Sequence, residues 1–437
     1  MGIEDCITLI STPEMLDFSF KLRDELNAMA KAEWPVLVEK VRAQKAGEVP
    51  PGSPQDDPLA ERKLRFLRSM EQRFREITAA LPQVEKEIRE AKLDVEYWNK
   101  NISNFGSGPY YIVPVGFKYF ADSTRLETIY DSVRGTEAHL IAGFDKAIDT
   151  FPSWLQDALA DPKKREEFYR VASPKATAVY QNLCTAYALR EADVGRLIGI
   201  FPKMAGTRQD KKKGRQSVHA AVFSSIYGPV MDKIVTLDLH NQAICSFTGF
   251  RPGEVENLYS SKVSIPYLMT QGYTFILSAD AGGAARADHF GKVMGLPTGA
   301  ATKFRDHKGA NKIEKILLGC NVVGHKVLIP EDMIDSGGTV KRITDALFEA
   351  GAAAVGIAGV HGLFNPDAIS ILDGLRQKYK DKFNVYTTTS IYHKNLPDWI
   401  HIISITELIA PIILNLHTHG SLSGLYMDMN HTQMTPH

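Results

Sequence analysis

The stretch Val327–Thr339, VLIPEDMIDSGGT, runs an apolar strand into two acids, two further apolar residues and then Asp-Ser-Gly-Gly-Thr. Glycines directly after a strand let backbone N–H groups close around a phosphate, and the hydroxyls of Ser336 and Thr339 add donors. Glu331 and Asp332 suit the hydroxyls of a pentose, and the segment that follows, VKRITDALFEAGA, reads as a helix. The plainer alternative is an acidic loop closed by a glycine cap. Neither GxxxxGK[ST] nor GxGxxG occurs, and the nearest imitation, GCNVVGHK at 319–326, lacks the Gly-Lys-Ser/Thr end. Two more strand ends carry polar groups: Asp238-Leu239-His240 after IVTL, and Asp280 in SADAGG after TFIL. Lys303 and Arg305 stand in ATKFRDHKGANK, a polar, glycine-containing segment suited to a mobile flap. Arg208 and Gln209 precede a basic cluster, Lys211, Lys212, Lys213 and Arg215. That run reads either as a wet surface loop or as an attractor of polyphosphate.

The elements that must position these groups begin near Tyr110. Apolar runs appear at 139–144, 196–201, 234–239, 274–278, 326–329, 354–361, 385–389 and 400–405, with helical segments between most of them. Such alternation predicts parallel sheets covered by helices, with ligands at the carboxyl ends of strands. The fold class expected is α/β, two parallel-sheet domains behind an all-α N-terminal extension. In that extension Thr12-Pro13-Glu14 reads as a helix start, with an amphipathic stretch to about Val41. Residues 46–57 read as a linker. Leu67, Met70, Phe74, Ile77 and Leu81 then form the seam of a packed helix that Pro82 is expected to kink or restart. The extension reads as an assembly module or as a contributor to substrate binding. The expected divisions are 1–104, 105–252, 253–426 and a tail at 427–437.

Composition narrows the partners. The chain has 437 residues, with Lys+Arg and Asp+Glu both at 51, so its formal net charge is zero. That balance, with no interleaving of aromatic and basic residues, argues against nucleic acid as a partner. There is no apolar run of eighteen residues, so no membrane span is expected. The start MGIEDCITLI lacks a basic leader and a cleavage site, and four scattered cysteines read as free thiols. A cytoplasmic setting is the expectation.

One family unites these segments. Asp131–Gly135 (DSVRG), TRQD at 207–210, DLH at 238–240, SADAGG at 278–283, KFR at 303–305, the DSGGT motif, HGLF at 361–364 and GSLS at 420–423 occur in order. Over residues 105–426 the chain resembles ribose-phosphate diphosphokinases, also called phosphoribosyl-diphosphate synthetases. The resemblance implies two domains of phosphoribosyltransferase type. It implies transfer of the diphosphoryl group of ATP to the anomeric hydroxyl of ribose 5-phosphate, giving AMP. It further implies Mg²⁺ held by His240 and Asp280, and catalysis by Lys303 and Arg305. Nucleotide contacts would come from Arg208, Gln209, Phe120, Asp122 and Thr124, the last three often serving a neighbouring copy, so a homo-oligomer is expected. The sugar phosphate would lie on Glu331, Asp332, Asp335, Ser336, Gly337, Gly338 and Thr339. Three positions depart from the family pattern: Thr124 replaces a Glu that accepts from adenine, Lys213 replaces an Asp, and Glu331 replaces an Asp. With the helical extension, these leave open a larger acceptor ending in ribose 5-phosphate, such as ADP-ribose. A regulatory relative without activity is a further alternative, which the retained cations and metal ligands disfavour.

Overall fold

The structure, a computed structural model, describes residues 7–12, 15–48, 60–90, 110–113, 115–119, 125–129, 133–144, 160–161, 164, 174–212, 214–305, 314–365, 367–393, 395–418 and 422. Among these no helix is long and apolar enough to cross a membrane. The strands lie in two main sheets. The first has five parallel strands in the order β1 (Ile7–Ser11), β4 (Glu137–Ile141), β5 (Arg196–Ile200), β6 (Lys233–Leu237) and β7 (Val255–Leu258). The second has seven, in the order β10 (Glu314–Leu318), β9 (Thr298–Arg305), β8 (Phe275–Ser278), β11 (Lys326–Ile334), β12 (Ala354–Gly362), β13 (Phe383–Thr388) and β14 (Ile400–Ile403). Within that sheet β10 pairs antiparallel with β9 and the rest run parallel. A separate antiparallel pair joins β2 (Val115–Tyr119) to β3 (Arg125–Ile129).

Parallel strands covered on both faces should be apolar in both directions along the pleat. Strand β11 meets that demand. Val327 and Ile329 enter one core with Val340, Ile343 and Leu347 of α7 (Gly338–Glu349) and Leu372 of α8 (Ala368–Tyr379). Leu328 points the other way, into a core with Ile265 and Leu268 of α5 (Ser261–Met269) and Phe290 of α6 (Ala284–Met294). The first sheet is covered in part by α3 (Pro174–Glu191) and α4 (His219–Tyr227).

Both long helices expected ahead of the α/β halves are present, as α1 (Leu16–Lys45) and α2 (Ala60–Glu90). The seam of α2 is buried at Leu67, Met70 and Ile77, with Phe74 and Leu81 packed against it. The helix passes Pro82 without ending, contrary to a restart there. What the sequence reading lacked is β1. Its five residues are all buried, and the strand lies beside β4 in the first sheet. Helix α2 covers it, with Arg73 Nη1 donating to Thr8 Oγ1 at 2.7 Å. Asn27 of α1 exchanges two hydrogen bonds with the backbone of Tyr110, and Val113 N donates to Leu9 O at 2.8 Å, so β1 is also paired on its outer side. The limits expected at 104 and 252 are therefore crossed, by β1 and by β7 respectively. The helix α9 (Thr406–Thr418) likewise returns to the first core, packing on α1.

A buried polar cluster ties α2 and α9 to the first sheet. Glu137 Oε1 accepts from His139 Nε2 at 2.9 Å, Glu137 Oε2 accepts from Arg196 Nη1 at 2.7 Å, and His417 Nδ1 lies 3.5 Å from Oε1. The Arg196 guanidinium also donates to Leu416 O, and the His417 ring lies 4.4 Å from Phe66. Burial pushes the Glu137 carboxyl up, but hydrogen bonds from His139 and His417 bring it well below the usual carboxylate range. Burial holds the His139 imidazole below its ordinary value against the pull of Glu137. A neutral His139 donating through Nε2 fits its Nδ1, which is buried without a partner. Both shifts act in one direction: the unfolded chain binds more protons, so stability falls on acidification. The His139 contribution fades as pH drops below about 6.5, and that of Glu137 below about 4.3. Glu137→Gln should cost about 3 kcal/mol near neutrality, because it leaves Arg196 without its anion. Its unfolding free energy should also change less between neutral and acid pH than that of the wild type. Denaturant titrations across that range check this, and parallel pH curves for the two proteins would contradict it.

Candidate active site

Strand β11 carries Glu331 and Asp332 before it ends at Ile334, and the chain then turns through Asp335 and Ser336 into α7. Gly337 makes that turn with φ of +74°, a left-handed conformation that costs an L-residue roughly 1–2 kcal/mol. The result is a helix N-terminus opening beside Ser336 and Thr339, the geometry that receives anions. The chain leaving β12 crosses this turn. Leu363 N and Phe364 N both donate to Ile334 O, and Asn365 N donates to Asp335 O at 3.1 Å. The Asn365 side-chain amide also donates to the Asp335 carboxylate.

Facing it, β6 of the first half ends at Leu237, and the backbone swings through Asp238 at φ +43° to present His240. Non-glycine residues hold such a φ only where surroundings over-determine it. Here Asp238 N donates to Leu258 O, and its own carboxylate accepts from Ser260 N at 2.8 Å. Burial pushes the Asp238 carboxyl up despite that hydrogen bond.

Among the described residues, two contacts between the halves involve predicted site residues. The His240 ring approaches Asp332, with Nδ1 2.6 Å from Oδ2, and Arg208 Nη1 forms an ion pair with the Asp335 carboxylate. Four predicted site residues, two assigned to nucleotide or metal and two to the sugar phosphate, are thus brought together. Arg208 and Gln209 are exposed at the rim of a cavity of about 810 Å³, in the size range of small-molecule sites. Tyr180, Leu183, Val222, Phe223 and Ile226 give it apolar walls, and Leu363 of the second half closes one side.

The other predicted residues are placed less completely. Asp280 sits just beyond β8, where its Oδ1 accepts from Gly282 N and Gly283 N, which fixes the carboxylate at the mouth of a short turn. Lys303 and Arg305 lie in β9, in register with Ile316 and Glu314 of β10. Phe120, Asp122 and Thr124 lie outside the described residues, as does Lys213. Sequence reasoning missed Asn365 and Asn257, which hold the two turns. Asn365 directly follows HGLF, and Asn257 sits in the strand VENL, so only position beside a motif could have flagged them.

The donors fit Mg²⁺. A carboxylate can only accept, so the contact with Asp332 puts the proton of a neutral His240 on Nδ1 and leaves the Nε2 lone pair for a ligand. Asp280 offers one fixed carboxylate at the end of β8, and among the described residues no three potential metal-ligating side chains are gathered. Magnesium suits such a sparse set, because it keeps several waters and takes phosphate oxygens. When bound it would neutralise charge on a polyphosphate.

Two largely parallel α/β sheets with a glycine turn opening a helix N-terminus at a strand end define a fold of phosphoribosyltransferase type. The phosphoribosyl transferase domain family matches residues 267–408. A ribose-phosphate pyrophosphokinase of Streptomyces coelicolor is 30% identical over 254 residues, covering 57% of this chain and 76% of that protein. Ribose-phosphate pyrophosphokinase 1 of Streptococcus mutans is 28% identical over 261 residues, covering 58% and 79%. The crystal structure of phosphoribosylpyrophosphate synthetase from Mycobacterium smegmatis shares the fold, with a TM-score of 0.57 at 22% identity, over 71% of this chain and 92% of that one. The chain belongs to the ribose-phosphate pyrophosphokinase family, and is an enzyme of the diphosphotransferase class.

Proposed function

We propose that this enzyme transfers the diphosphoryl group of ATP to the anomeric hydroxyl of ribose 5-phosphate, with Mg²⁺, giving phosphoribosyl diphosphate and AMP. The observation that carries this reading is the facing of Arg208 and His240 against Asp335 and Asp332 across the two halves. A donor and an acceptor of phosphoryl groups need that juxtaposition, since much of such catalysis is positioning. The sugar oxygen attacks the β-phosphorus, the bond from that phosphorus to the α–β bridge oxygen breaks, and AMP leaves with the bridge oxygen. The hydroxyl proton passes to water. In this reading the Ser336–Thr339 turn holds the 5-phosphate, and Glu331, Asp332 and Asp335 orient the ribose. Arg208 and Gln209 hold the nucleotide, and Lys303 and Arg305 supply charge as the β-phosphorus changes partners.

A homo-oligomer in the cytoplasm belongs to the same proposal, with Phe120, Asp122 and Thr124 completing a neighbouring copy's nucleotide site. One observation favours a second reading of the acceptor. Leu363, from the loop that crosses the sugar turn, also lines the large apolar cavity. A nucleoside carried by the acceptor, as in ADP-ribose, would therefore find space next to the sugar site. The chemistry is unchanged.

Nucleotide products test the proposal. With ATP and Mg²⁺, AMP should form only when a ribose 5-phosphate or ADP-ribose acceptor is added. ADP as the product, or AMP at equal rates with no acceptor, contradicts it.

A further inference from the structure

We infer that Asn257 is a positioning residue for His240, acting as a clasp across the turn that carries it; this rests on the reading of the site given above. Asn257 lies on β7, the edge strand of the first sheet, and is 7% exposed. Its Oδ1 accepts from Leu239 N at 3.0 Å, and its Nδ2 donates to Gln242 Oε1 at 2.7 Å. One carboxamide therefore grips the chain on both sides of His240. Tyr259 Oη adds a weaker contact to Gln242 Oε1 at 3.4 Å. The turn is held at two further points, by Ser260 N on Asp238 and by Asn241 Nδ2, which donates to Asp210 Oδ2 at 2.7 Å. That last bond runs to the residue next to Gln209, so the histidine turn is tied to the Arg208–Gln209 loop.

The clasp matters because the turn begins in a conformation that its own residues do not favour. Asp238 stands at positive φ, and no glycine is present from Thr236 to Phe247 to relieve it. An apolar residue at position 257 would leave Leu239 N buried without an acceptor, which favours movement of the turn toward another partner. The turn would then relax and carry the imidazole away from Asp332. Partners that orient a ligating histidine typically change metal affinity or activity by about 10–100-fold when removed.

The test compares wild type, Asn257→Ala and Gln242→Ala. Gln242 is exposed, so its variant keeps the fold while removing one arm of the clasp. Binding of α,β-methylene-ATP is measured by calorimetry over a Mg²⁺ series, alongside thermal unfolding and steady-state kinetics. Asn257→Ala should raise the Mg²⁺ half-saturation and lower kcat by about 10-fold each, with the acceptor KM changed about twofold or less. Gln242→Ala should shift both by about threefold, at nearly the wild-type Tm. Should Asn257→Ala fail to fold, Gln242→Ala decides alone. A folded Gln242→Ala or Asn257→Ala with wild-type Mg²⁺ dependence overturns the clasp. If wild type itself shows no Mg²⁺-dependent binding of the analogue, the functional reading falls instead, and the clasp with it.

Discussion

Lys303→Ala is expected to lower kcat by about 10³-fold while leaving the fold and the affinity for ATP nearly unchanged. The reason is differential binding. On the proposed reading the ground-state triphosphate would be solvated and held by Arg208, Gln209 and Mg²⁺, so one more cation would contribute little. As the bond to the α–β bridge oxygen lengthens, charge would build on the leaving AMP and on the transferred group, and an ammonium beside them would gain in value. Lys303 and Arg305 occupy alternate positions on β9, a strand anchored to β8 on one side and β10 on the other. A single-turnover experiment separates the steps. The variant should bind ATP with near-normal affinity and then convert it slowly. Loss of binding with an intact chemical step would move Lys303 out of the catalytic role.

His240→Ala is expected to behave differently. It should weaken Mg²⁺-dependent nucleotide binding by about 10–100-fold and also raise the acceptor KM. The double effect follows from geometry, because His240 reaches across the halves to Asp332 at 2.6 Å. Removing the imidazole leaves Asp332 without that partner, so on the proposed reading both substrates would lose a positioned contact. A His240→Gln variant, which restores a donor but no imidazole lone pair, should recover the acceptor KM more than the metal dependence. Equal recovery of both, or a wild-type metal response in His240→Ala, would remove the residue from the ion's surroundings.

Much of the second half was legible in the sequence because its constraints are local. The DSGGT turn needs glycine at Gly337 for backbone reasons, and the apolar runs from Thr274 onward must be buried on both faces, so pattern and fold coincide. Strands with mixed faces were illegible. VENL in β7 sets an acid and an amide side by side between two apolar residues, and Asn257 is engaged by the histidine turn. TGAATKFR in β9 carries the cations. ITLIS in β1 is short and runs almost directly into a helix start, which hid a strand beneath two helices. Pro82 misled because a packed seam on either side, Ile77 and Val84 among it, offsets the one hydrogen bond a proline removes. The site's central pairs were invisible for a simpler reason: Arg208 and Asp335 are 127 residues apart, and only the packing of the two halves brings them together.

The most direct measurement is a two-dimensional ¹H–³¹P correlation spectrum of the product formed from ATP, Mg²⁺ and ribose 5-phosphate. A diphosphate coupled to the anomeric proton, appearing in step with AMP, is the predicted result. A diphosphate on any other sugar hydroxyl, a single phosphate at C1, or no new phosphorus signal while ATP is consumed would contradict the account.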